Sequence, residues 1–282
     1  MLHSRKFYYS LFVVAALYIL IVQQFFKNES RFIFQSPTYT SELKYSFNVD
    51  FQELNLSINK ELVLHGIWFK HKESKALVLF FPDTDIDIRQ LKMEENHYYA
   101  QGFDVLMVAY RGTAESLGKL NNENDLFSDA QQWYNFAKSQ FSENNIILVG
   151  SGFGSPVAAQ LAGNNMPKAL ILEKPYFSFG DYQSKHKYWW LPYSYFTSFH
   201  LNTWEYVRKT KSEIILIQDE TKRDKKGCLT DFLKQSDKVY WLKNSKDVYF
   251  SFQADKAIFY NEILHELLYS IESENSIFLK IQ

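Results

Sequence analysis

The chain has 282 residues, a formal net charge of −1, 46% hydrophobic and 18% aromatic residues, and one cysteine. That length fits one domain of somewhat over 200 residues with an appendage. A near-neutral charge without a long basic block excludes an electrostatic footprint for nucleic acid. A single cysteine excludes an internal disulfide framework and any multi-cysteine metal site.

After a short tail, residues 1–6, the 20 residues Phe7 to Phe26 carry no charge. As a helix they reach across a bilayer core of about 30 Å, with Tyr8, Tyr9 and Phe26 as interface aromatics near the ends. Gln23-Gln24-Phe25-Phe26 offers no small-x-small cleavage site, so an uncleaved membrane anchor is expected rather than a signal peptide. Arg5 and Lys6 precede the stretch, and Lys27 and Arg31 follow it. The positive-inside rule therefore leans only slightly toward an exported domain.

Residues 27–50, with Pro37, read as a loose polar linker. The alternating runs 51–58 and 62–69, around a turn with Asn59 and Lys60, predict an antiparallel strand pair. Strands are then predicted at 76–81, 105–110, 146–149, 169–172, 213–217 and 238–242. Helices are predicted at 89–101, 125–140, 154–163 and 254–269. Strands alternating with helices after an antiparallel start define an α/β, mostly parallel, doubly wound sheet over residues 51–282. Its ligand site lies at the carboxyl ends of the strands. Residues 176–206 interrupt the rhythm with 13 aromatics in 31 residues. They read as a cap insertion with its own small core, covering a pocket apolar enough for a lipid or acyl chain. Cys228 follows the polar run Lys225-Lys226-Gly227 and reads as a surface or half-buried thiol.

The sequence Gly150-Ser151-Gly152-Phe153-Gly154, between a β-branched run and a helix-forming one, has the strand–turn–helix context of a nucleophile elbow, G-x-S-x-G. The outer glycines are present, but glycine replaces the serine. Ser151 fits the nucleophile's place poorly, because its neighbours Val149 and Phe153 are large for the flanking positions. Ser155 reads as helix entry before Pro156. The same turn imitates a dinucleotide fingerprint, with Glu173 near the position of a ribose-binding acid. Asp83, Asp85, Asp87 and Glu94 imitate a calcium loop, with Ile88 where glycine is needed. His65 reads as structural and Arg111 as the anchor of a turn.

Several segments together resemble the α/β-hydrolase superfamily, in its membrane-anchored, bud-emergence-type branch related to serine aminopeptidases. They are Leu64-His65-Gly66; Val108-Ala109-Tyr110-Arg111-Gly112 with Ser116 and Gly118; Leu172-Glu173-Lys174-Pro175; Trp190-Leu191-Pro192; and Leu201-Asn202-Thr203. The likeness covers residues 35–270 and implies a catalytic triad, but its positions are degenerate. The nucleophile falls on Gly152, the acid on Lys222 (Asp224 if the loop slips) and the histidine on Ser245. No histidine lies between Leu201 and Leu264. The implied oxyanion region carries Pro82, which has no N–H, and Asp83, whose charge opposes an oxyanion.

These losses predict a non-catalytic protein that binds a lipid, peptide or protein partner, without cofactor, metal or nucleic acid. The alternatives are an ester or amide hydrolase with an atypical site, and a nucleotide-binding domain. Restoring serine at position 152 is expected to cost about 1 kcal/mol and to yield no activity.

Overall fold

The computed structural model describes residues 2–34, 45–74, 76–84, 93, 96–223, 228–242 and 257–281. Helix α1 (Leu2–Lys27) is uninterrupted and leaves Phe12, Val14 and Leu17 exposed. Its stretch Lys6–Lys27 has a mean hydropathy of 1.9, long and apolar enough to cross a membrane. A turn at Asn28, whose side chain donates to the Gln24 carbonyl at 2.9 Å, leads straight into α2 (Glu29–Ile33).

The predicted hairpin forms as β1 (Phe51–Ser57) and β2 (Val63–Phe69), paired antiparallel. Asn59 Oδ1 closes its turn by accepting the N–H groups of Glu61 and Leu62, both at 2.9 Å. The remaining strands are β3 (Leu77–Phe81), β4 (Asp104–Val108), β5 (Ile146–Ser151), β6 (Ala169–Glu173), β7 (Glu213–Asp219) and β8 (Lys238–Leu242). Their order is β1-β2-β4-β3-β5-β6-β7-β8. β2 meets β4 antiparallel, and from β4 onward every pairing is parallel.

Alternation along the strands divides the core. Leu77, Leu79, Leu148 and Leu170 face one layer, with α4 (Glu123–Gln140) and α5 (Gly154–Asn164). Val78, Phe80, Ile147 and Ile171 face the other, with α3 (His97–Ala100) and α9 (Ala257–Ile281). Both faces are covered, so these strands are continuous apolar runs rather than half-polar ones.

The cap holds α6 (Phe179–His186), α7 (Tyr193–Phe196) and α8 (Thr203–Lys209). Its own small core exists: Tyr188, Leu191 and Tyr193 are buried. That core is completed by α1, since the same cluster contains Phe25, with Val22 and Phe26 packed against it. The segment after the anchor is also more ordered than its composition suggests. Glu29 is buried, accepting from Thr197 Oγ1 and, at 2.9 Å, from the Ser198 N–H. Hydrogen bonds to a charged, desolvated carboxylate are the stronger kind. Glu29→Ala is therefore expected to cost about 1.5–3 kcal/mol, read as a lower thermal midpoint, with faster proteolysis between the anchor and the cap.

Two further expectations are revised. The part of the 89–101 helix that is described is only α3, started by Asn96, whose side chain accepts the Tyr99 N–H. Cys228 is buried, with Sγ 4.0 Å from Gln218 Oε1 near the end of β7.

Candidate functional site

The site follows from register. β3 and β5 are parallel neighbours with Phe81 opposite Gly150, so Pro82 and Asp83 leave the sheet beside the end of β5 at Ser151 and Gly152. The elbow geometry is present: Gly152 has φ +50°, its N–H donates to the Glu173 carbonyl at 2.8 Å, and its carbonyl accepts the Ser155 N–H at 3.1 Å. The flanking glycines are required by contact. A Cβ on Gly150 would lie 2.6 Å from Ser155 Cα, and one on Gly154 would strike the Phe81 carbonyl. The sharp strand-to-helix turn therefore persists without its serine.

The side chain over Gly152 belongs to Asp83. A Cβ built on Gly152 would overlap the Asp83 carboxylate, with Oδ2 nearest. Asp83 Oδ1 also accepts the Phe153 N–H at 3.2 Å and the Thr84 N–H at 2.8 Å. The N–H of the residue after the nucleophile is the principal oxyanion donor of such an elbow. One aspartate thus fills the space a side chain at position 152 would need and takes the Phe153 N–H. Pro82 contributes only its carbonyl, which accepts from Tyr110 Oη at 2.6 Å. Burial, reinforced by the Asp83 charge, holds the Tyr110 phenol far above its usual range, so it stays a neutral donor.

Aromatic rings close the space beyond. Phe153 is fully buried, edge-on to Tyr110 at 5.4 Å and to Phe179 of the cap at 5.0 Å. Phe34, just beyond the end of α2, packs on Phe153 at 5.1 Å and on Tyr110 at 5.6 Å. The segment following α1 and α2 thereby packs against the elbow through Phe34.

The other candidates are accounted for. Ser155 is buried and donates to the Gly150 carbonyl at 2.8 Å, so its hydroxyl is engaged in the turn. Ser151 is buried within β5 opposite Glu173. Glu173 is itself fully buried and accepts from Tyr98 at 2.9 Å and Tyr260 at 2.8 Å, out of reach of a ribose. Lys222 ends a short 3-10 turn after β7, started by Asp219, whose side chain accepts the Thr221 N–H. Ser245, Asp224, Asp85, Asp87 and Ile88, and Glu94, lie outside the described residues. The described histidine contacts are elsewhere: His71 on Tyr99 and His97 on Tyr260, while His200 and His265 are exposed.

His65 is fully buried on β2, stacked on Tyr45, with Nε2 3.6 Å from Glu53 and 3.5 Å from Glu115. Burial lowers its pKa below 6.5, opposed by the charges of Glu115 and Glu53. Between that lowered value and 6.5 the unfolded chain binds more protons, so stability is complete above 6.5 and falls as the pH drops through this window. The thermal midpoint is expected to fall from about pH 7.5 to 5.5, and to fall less in His65→Asn.

The strand order and elbow define an α/β-hydrolase fold. An α/β hydrolase from Vibrio vulnificus matches with a TM-score of 0.61 at 20% identity, over 76% of this chain and 80% of that one. An esterase from Pyrococcus furiosus matches at 0.59 and 15% identity, over 81% and 95%. In sequence, 87 residues are 36% identical to a multifunctional-autoprocessing repeats-in-toxin of Vibrio cholerae, covering 28% of this chain and 2% of the toxin. An uncharacterized protein of Mycobacterium tuberculosis is 29% identical over 119 residues, 41% of each chain. The chain thus spans less than half the length of these curated relatives. No family profile matches it.

Proposed function

We propose that this is a membrane-anchored α/β-hydrolase-fold protein that is silent in serine hydrolysis and works by binding a lipid, peptide or protein partner. The observation that carries this reading is the Asp83 carboxylate over Gly152, holding the Phe153 N–H. Loss of a triad nucleophile or base costs on the order of a million-fold in turnover. The residual catalysis of such variants comes from the oxyanion hole and substrate binding, and here the hole's donor is occupied by a carboxylate.

A fluorophosphonate probe on the purified full chain, run beside a p-nitrophenyl ester assay, tests this. No labelling and no turnover above buffer are expected, together with lipid in the organic extract of the purified protein. Covalent labelling at Ser151 or Ser155 would establish an ester or amide hydrolase with an atypical site instead. A co-purifying nucleotide or flavin would favour the dinucleotide reading of the turn.

A further inference from the structure

Resting on the reading of α1 as a membrane-crossing helix, we propose that the cap is immersed in the bilayer, its edge of Trp189, Trp190, Tyr195 and Phe196 lying among lipid rather than in water. The cap touches α1 at three places. Tyr18 Oη donates to the Trp190 carbonyl at 3.0 Å, Phe25 packs on Tyr188 at 4.8 Å, and Phe26 packs on Phe196 at 5.9 Å. Residues 18, 22, 25 and 26 share one face of a helix, so the cap runs along α1 for about two turns.

Length then decides. Beyond the cap contact, the uncharged residues Phe7–Leu17 number only 11 and make about 16 Å of helix, roughly half a hydrocarbon core of about 30 Å. Lys6 and Arg5 end the apolar stretch on that side. A helix that crosses must draw the rest of its span from Tyr18–Phe26, the stretch flanked by the cap. The Trp190 contact therefore sits about 12 Å along the helix from Phe26, below the membrane surface.

The exposed surface fits that position. Trp189 is 78% exposed, Tyr195 84%, Phe196 61% and Trp190 44%. These four large exposed aromatics belong to the cap segment that touches α1 through Trp190 and Phe196. Trp and Tyr are the residues that settle at the membrane interface. The one carboxylate of the juxtamembrane turn, Glu29, is already hydrogen-bonded by Thr197 and Ser198. It brings no unsolvated charge to the lipid.

The test uses the full chain in phosphatidylcholine nanodiscs with brominated acyl chains. Tryptophan emission should be quenched by the bromolipid and resist aqueous iodide, and Trp189→Phe/Trp190→Phe should lose most of that quenching. A second probe is Tyr195→Cys in a Cys228→Ser background, carrying nitrobenzoxadiazole. Its emission should be blue-shifted and protected from dithionite. Iodide quenching that disappears in the double variant, or a dithionite-accessible label, would overturn the immersion. Alkaline carbonate separates the two readings. A chain released by carbonate removes the membrane-crossing helix itself, whereas a retained chain with water-exposed probes removes only the immersed cap.

Discussion

Gly152→Ser is expected to destabilise the protein by about 2–5 kcal/mol and to produce no hydrolysis. Two costs combine. A φ of +50° strains any residue with a Cβ, and that Cβ would overlap the Asp83 carboxylate. The first cost alone corresponds to the about 1 kcal/mol expected from sequence. The second exists because the carboxylate fills the space above the elbow, and moving it also breaks its bond to the Phe153 N–H. Asp83→Ala combined with Gly152→Ser should recover part of the loss, leaving the φ strain. Thermal midpoints of the single and double variants, with fluorophosphonate labelling of each, decide the matter. Labelling of the double variant at the introduced serine would mean that the chain supplies a base from elsewhere, since no histidine lies between Leu201 and Leu264.

Arg111→Met is expected to cost about 3–5 kcal/mol, among the largest effects of any substitution outside the core. The guanidinium grips Asp129 of α4 with two bonds, Nε to Oδ2 at 3.0 Å and Nη2 to Oδ1 at 2.6 Å, while Nη1 reaches Asp125 at 3.2 Å. The side chains of Arg111 and Asp129 are only 13% and 11% exposed. Burial already pushes the Asp129 carboxyl up, against the pull of Arg111. Without the arginine, that carboxylate stays buried and unpaired, and it relieves the cost by taking a proton. The deficit of Arg111→Met should therefore shrink as the pH is lowered. Arg111→Met/Asp129→Leu should recover much of the loss, because removing both partners leaves no charge stranded. A double-mutant cycle of thermal midpoints at about pH 7.5 and 5 measures both effects; a pH-independent deficit would refute the ionic account.

The sheet is legible in the sequence because its strands are buried on both faces and so stand out as short β-branched runs between turn residues, as in Ile146–Val149. The elbow is legible because only small residues fit at positions 150 and 154, a constraint of backbone sterics that does not depend on which residue stands at 152. Pro82 and Asp83 mark the oxyanion region as altered. That the carboxylate stands directly over Gly152 depends on the β3–β5 register, which no local pattern encodes. Phe34 and Glu29 are hidden in a polar stretch without periodicity, since each is fixed by partners more than 70 residues away. Glu173 reads as a candidate acid only until Tyr98 and Tyr260, 75 and 87 residues distant, enclose it.

The short turn at Asn28 has a consequence for how this protein meets anything else. A domain on a flexible tether sweeps a volume, and its reach grows with tether length. Here helix follows helix across one residue, and Glu29 and Phe34 fasten the second to the cap and the elbow. On the proposed membrane-crossing reading of α1, the domain would be held at a fixed height and angle, and encounters would reduce to lateral diffusion in two dimensions with a single face presented. A partner in the same membrane would then meet it already oriented, and one arriving from solution would find only the surface turned away from the lipid.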